Sequence, residues 1–310
     1  MNETVHDRAE ILRLARLLRQ RPQELAFLLA VDDVELRVLR DQVTDALFGA
    51  QAASLRRLGA AAKLLPTPVI AKIGQKVFGP LLCARVAGEL DPRKATDVAQ
   101  RLPETFMADV AVELDPRRAQ RIIEALPTDT VVKVAVELAG RDDWITLGQF
   151  VGFLPEEKIA ACLRSLDDTH ILRTAFAVDD VSAVPTVIDL LPGERLLGLL
   201  SAASSEGLWP TLLSIVAKLR DDQITELAAL FGGLDDAVLT ELLQVVADHD
   251  LWDRLLPLAA GLPAAAQQVL ADTAVRLPAE TRTVIAQRAE ALGVLDRLGP
   301  LADAVDEAAA

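Results

Sequence analysis

A tetrapeptide that returns after 24 residues constrains this chain more than any other feature. Leu90-Asp91-Pro92-Arg93 comes back as Leu114-Asp115-Pro116-Arg117, and Leu102-Pro103 comes back as Leu126-Pro127 at the same interval. Each junction ends one helix on Leu and opens another. Asp accepts from the open amides of the first turn, Pro fits that turn because its φ is already helical, and the following Arg residues are expected to face solvent. Between junctions, Ala119, Ile122, Ile123 and Leu126 recur at helical spacing. A pair of such short helices leaves an apolar face uncovered, so successive pairs must stack.

A looser register continues the pattern. Segments beginning at Trp144, Val181, Trp209 and Trp252 each run about eleven residues to a Leu or Leu-Pro, with spacings of 37, 28 and 43 residues. The absence of Tyr and an aromatic content of 4% disfavour a β fold. The expected fold is therefore all-α: a right-handed α-solenoid over residues 89–298, an N-terminal helical region over 1–88, and an acidic tail, 299–310, that frays. In the N-terminal region, helices are expected over 4–20, from Pro22 to Leu29, and from Asp32-Asp33 to near Gly49. The first should be amphipathic, with Ile11, Leu14 and Leu18 on its apolar face and Arg13, Arg16 and Arg19 opposite. A later helix from Val69 to Val86 should kink or split at Gly79-Pro80.

Charge is divided along the chain. The total is −14, but residues 1–88 carry 13 basic and 9 acidic side chains, net +4, leaving −18 on residues 89–310. From Ala46 to Gly88 there is no acidic residue and there are six basic ones: Arg56, Arg57, Lys63, Lys72, Lys76 and Arg85. Such a segment can meet an anionic partner or dock on the acidic remainder of its own chain. Lys63, Lys72, Ile73, Lys76, Val77, Phe78, Leu81 and Arg85 are the candidate contacts to an anionic membrane or a lipid-like ligand, with residues 60–88 acting as anchor or lid.

The Leu-Asp-Pro and Leu-Pro tract over residues 88–166 resembles the N-terminal superhelical domain of MgtE-type magnesium transporters, and is similar to the armadillo-like repeats of the flagellar switch protein FliG. The resemblance spans about a quarter of the chain and rests on helix punctuation. It implies a cytosolic, acidic helical module; in the transporters that module helps to sense magnesium beside CBS modules and a pore. Here only the helical module is expected to carry over, since fold does not transfer activity.

Signals for reaction chemistry are sparse. Phosphate-cradle, dinucleotide, nucleophile-elbow and H-E-x-x-H patterns are absent from the sequence. His6, His170 and His249 lie far apart, and Asp248-His249-Asp250 reads as a polar turn between helices in preference to a metal site. Six Asp-Asp pairs, at Asp32, Asp142, Asp167, Asp179, Asp221 and Asp235 with the residue following each, stand where helices begin. Capping is the plainer reading and weak Mg²⁺ or Ca²⁺ binding the alternative. Trp144, Trp209 and Trp252 occupy equivalent repeat positions, either as packing or as a ligand-binding row. Cys83 and Cys162, without nearby His, read as small buried hydrophobes of a reducing compartment.

These features point to a non-catalytic protein with no catalytic or metal residues and no resident cofactor. The first expectation is a cytoplasmic scaffold that binds a protein partner through an acidic concave surface. The second is a lipid-binding or peripheral inner-membrane protein, the third a weak divalent-cation sensor. Nucleic acid is not an expected partner, because the chain is acidic and lacks an aromatic-basic platform.

Overall fold

The structure is a computed structural model that describes residues 9–49, 52–216, 219–220, 222–224, 226–227 and 236–306. Among the described residues there is no strand, so the fold is all-α. The chain forms two compact units: residues 1–166 with 177–180, and residues 167–176 with 181–310.

The first unit begins with a helix pair, α1 (Ala9–Leu18) and α2 (Asp33–Gly49), joined through a 3-10 turn, Pro22–Leu28. These elements have a small core of their own, built from Ile11, Leu14, Ala15, Leu25, Leu28 and Leu36. Next come α3 (Ala52–Lys63), α4 (Thr67–Ile73), α5 (Gly79–Ala87), α6 (Pro92–Ala99), α7 (Glu104–Glu113) and α8 (Pro116–Ala125). The unit ends in α9 (Thr128–Gly140), α10 (Trp144–Phe150) and α11 (Glu156–Ser165). Helices two apart in sequence pack together: α3, α5, α7, α9 and α11 form one row, and α4, α6 and α8 a second. This order follows from the 24-residue punctuation. Asp91 accepts from the amides of Arg93 and Lys94 at 3.1 and 3.4 Å, and Asp115 accepts from Arg117 at 3.1 Å. In both, Pro fills the first turn. Lysines close two helices from the other end. Lys94 Nζ donates to the carbonyls of Lys63, the last residue of α3, and of Leu65 just past it, and Lys158 Nζ to those of Ile123 and Glu124 near the end of α8.

Gly79-Pro80 does split its helix. A turn of π-helix, Gly74–Phe78, precedes it, Gly79 takes φ +71°, and Pro80 enters the first turn of α5.

The second unit contains α12 (Asp168–Phe176), α13 (Val184–Asp189), α14 (Gly193–Ser205), α15 (Trp209–Val216) and α16 (Asp236–Asp248). It closes with α17 (Trp252–Gly261), α18 (Ala264–Ala274), α19 (Ala279–Ala291) and α20 (Pro300–Asp306). Again two rows form, α14–α16–α18–α20 and α15–α17–α19. The tail expected to fray is helical as far as Asp306. Leu301 and Val305 are buried, and α20 packs on α18. Two apolar side chains four residues apart outweigh the acidic composition around them. Residues 307–310 lie outside the described residues, as does the expected start of the first helix at residues 4–8.

Candidate functional site

Two places in the first unit combine unusual exposure with unusual charge. The first is the join between α3 and the π-turn. Here Leu64, Leu65, Val69, Val77 and Phe78 stand exposed, Leu64 at 87% and Val77 at 72%. Lys63, Lys72 and Lys76 are exposed between them, and Arg56 and Arg57 on α3 are exposed as well. α4 is only seven residues long and buries Ala71 alone, so this segment gives the core little and the surface much. Ile73 is half-buried. Leu81 and Arg85, read from sequence as part of the same surface, belong elsewhere. Both side chains line a separate cleft, together with residues of α1, α2, α7 and α8.

That cleft is the second place. Its volume is about 340 Å³, and it lies between the N-terminal helix pair and the ends of α5, α7, α8 and α10. Its floor is a buried ion network. Glu10 pairs with Arg13 at 2.5 Å and with Arg40 at 2.9 Å. Asp179 pairs with Arg40 at 3.0 Å, with Arg37 at 3.2 Å and with Arg13 at 3.5 Å. A second Arg13 amino group donates to the Ala177 carbonyl. Burial pushes both carboxyls up. For Glu10 that effect prevails; for Asp179 the guanidiniums of Arg40, Arg13 and Arg37 prevail and hold it below the ordinary carboxylate range.

Two sequence expectations change here. Arg13 was expected on a solvent face of α1, yet it is 3% exposed, because carboxylates of other elements cover that polar face. Asp179 was expected to cap a helix, and it is the counter-ion of three arginines. Capping does hold at Asp32, whose Oδ1 accepts from the Val34 amide at 2.8 Å, at Asp143, which accepts from Thr146 at 3.2 Å, and at Asp167, which accepts from His170 at 2.8 Å. Asp221 and Asp235 lie outside the described residues. Arg117 is exposed, as expected, and pairs at the surface with Asp41 at 2.9 Å.

The remaining candidates are dispersed. Trp144, Trp209 and Trp252 each open a helix; the last two are buried inside the second unit, and Trp144 is half-buried in the first. His170 Nδ1 sits 2.7 Å from Asp167 at a helix start, and Asp250 of the Asp-His-Asp turn binds Arg288 at 2.8 Å. His6 lies outside the described residues. Burial pushes the Cys83 and Cys162 thiols up to about 11, which leaves them protonated at neutral pH. Among the described residues no group of three His, Cys, Asp or Glu side chains is placed to hold a metal, and no helix is long and apolar enough to cross a membrane.

Residues 81–174 match the family model of the MgtE intracellular N domain. The match covers both Leu-Asp-Pro helices and contains the tract over 88–166 from which the resemblance was read. It begins after Phe78, so the exposed segment at 63–78 lies outside it. No curated protein and no solved structure matches the chain.

Proposed function

We propose that this chain is a non-catalytic helical module that docks on an anionic membrane surface through residues 63–78. One observation carries the reading: five exposed apolar side chains interleaved with three exposed lysines, in a stretch free of carboxylates from Ala46 to Gly88. Water is a poor environment for contiguous Leu, Val and Phe, and such patches mark contact surfaces. At a bilayer interface their burial is worth about 25 cal/mol per Å², and each nearby lysine adds about 1 kcal/mol against anionic headgroups.

The net charge of −14 opposes this approach only weakly. Charge–charge interaction is screened out beyond a Debye length of about 8 Å at physiological salt, so the lysines beside the surface count for more than distant carboxylates. A seven-residue helix and a π-turn suit lying in the interface. The two rows of helices in each unit support a solenoid as the body that presents this segment; its right hand is inferred from the repeats alone. The reading puts the chain at the cytoplasmic face of a membrane, in line with the intracellular domain that residues 81–174 match.

Flotation of the full chain with vesicles tests it. Wild type is expected to float with vesicles rich in phosphatidylglycerol and to stay behind with phosphatidylcholine. Lys63→Glu/Lys72→Glu/Lys76→Glu and Leu64→Ser/Val77→Ser should each lower the bound fraction at least ten-fold. Equal flotation of wild type and both variants would sink the reading, as would no flotation of wild type at low salt.

A further inference from the structure

We propose that copies of this chain join to one another, the helix pair α1 and α2 of one copy receiving the exposed segment 63–78 of the next. The proposal does not rest on the membrane reading. It concerns a surface of the helix pair that the fold leaves uncovered, and what covers it in water.

The surface begins in the sequence. From Pro22 to Leu36 there are four carboxylates, Glu24, Asp32, Asp33 and Glu35, and no basic residue. The 3-10 turn buries Leu25 and Leu28, and α2 buries Leu36, Arg40 and Thr44 along one face. Helical spacing then sends Val34 and Val38 to the opposite face, one turn apart. They are 68% and 51% exposed, and Phe27 in the preceding turn is 72% exposed. All four carboxylates are exposed as well. Glu24 holds Arg21 at 2.8 Å, and Asp32 gives one oxygen to the Val34 amide. The next cation along the chain, Arg37, is turned to Asp179 at 3.2 Å. An apolar surface is thus rimmed by acid, and exposed patches of this kind mark contacts.

The chain itself supplies the complement. In segment 63–78, Leu64, Val77 and Phe78 are exposed between Lys63, Lys72 and Lys76, with no acidic residue from Ala46 to Gly88. Both surfaces belong to the first unit and both stay exposed, so neither covers the other within one chain. A second copy brings them together, apolar on apolar and lysine against carboxylate. Two acidic surfaces, or two basic segments, would instead set like charges face to face. The contact therefore joins unlike surfaces, and it repeats from copy to copy as a closed ring or an open chain. Its exposed charges make it sensitive to salt. Segment 63–78 cannot lie in a bilayer and on a neighbour at once, so the two states exclude each other.

Sedimentation velocity of the full chain without lipid, over a range of concentrations, is the test. Wild type is expected to sediment faster as its concentration rises at low salt, and to lose that rise at high salt. Val34→Ser/Val38→Ser and Lys63→Glu/Lys72→Glu/Lys76→Glu should each weaken association at least ten-fold. An equimolar mixture of the two variants should regain it as a two-chain complex, because each keeps the surface that the other lacks. Because a variant can fail to fold, wild type gives a second readout: hydrogen exchange should be slower in concentrated than in dilute protein over both 27–38 and 63–78. A wild type that stays monomeric overturns the proposal and leaves the surface to another protein. Association that both variants retain also overturns it, as does protection that spares either stretch. So does a mixture that fails to associate although both variants keep the helical circular dichroism of wild type. Flotation separates the two readings: a chain that floats but never associates removes only this one, and a chain that associates but never floats removes only the membrane reading.

Discussion

Asp179→Ala lowers the stability of the first unit by about 3–5 kcal/mol, the cost of stripping one partner from a buried ion cluster. The carboxylate is 19% exposed and faces guanidiniums that are 1% and 10% exposed on Arg13 and Arg40. Without it, Arg13, Arg37 and Arg40 are left with Glu10, and Arg40 also with Asp41 at 3.2 Å, while Glu10 already sits where burial disfavours its charge. Urea unfolding of the full chain should show the transition of this unit moved down by roughly 1–2 M, given slopes of about 2–3 kcal/mol/M for its size. Asp179→Asn should lose less, because the amide still accepts hydrogen bonds. A loss below about 1 kcal/mol for the alanine variant would mean that water reaches the cluster and screens it.

Gly148→Val should cost about 3 kcal/mol or more, at the upper end of what overpacking does. Gly148 lies in the middle of α10 with the chain after α12 pressed against it. An added Cβ would overlap the Ala177 carbonyl and come within 2.8 Å of the Ala177 Cβ. Relief requires α10 and residues 177–180 to move apart. That displaces the carbonyl that Arg13 binds and the Asp179 amide that donates to the Gly148 carbonyl at 3.4 Å. Circular dichroism melts of Gly148→Ala and Gly148→Val should show a stepwise loss. A neutral alanine would place residues 177–180 farther from α10 than described.

What could be read from the residues divides along physical lines. Asp91-Pro92 and Asp115-Pro116 act within one turn of chain, so their capping is visible in sequence and the helix starts follow. Pro22–Leu28 and the helix beginning at Asp33 came through on the same kind of local signal. Arg13 did not. Helical periodicity separates a polar from an apolar face, but it cannot reveal that a carboxylate 166 positions away covers the polar one. Asp179-Asp180 looks like the other Asp-Asp pairs, and only the approach of α1 and α2 makes Asp179 a counter-ion. For Leu81 and Arg85, the split at Gly79 was foreseen but the cleft they line was not, because it is made together with residues of α1, α2, α7 and α8. The exposed apolar residues at 64–78 carried a signal, in the missing acids, and their exposure became plain only with the stack in place.

The most direct test of the account is hydrogen exchange of the full chain with and without phosphatidylglycerol vesicles. Docking through residues 63–78 predicts slowed exchange in α4, the π-turn and the residues joining them to α3, with α6, α8 and α16 unchanged. Unchanged exchange across 63–78 under conditions where the chain floats, with protection falling elsewhere, would contradict it.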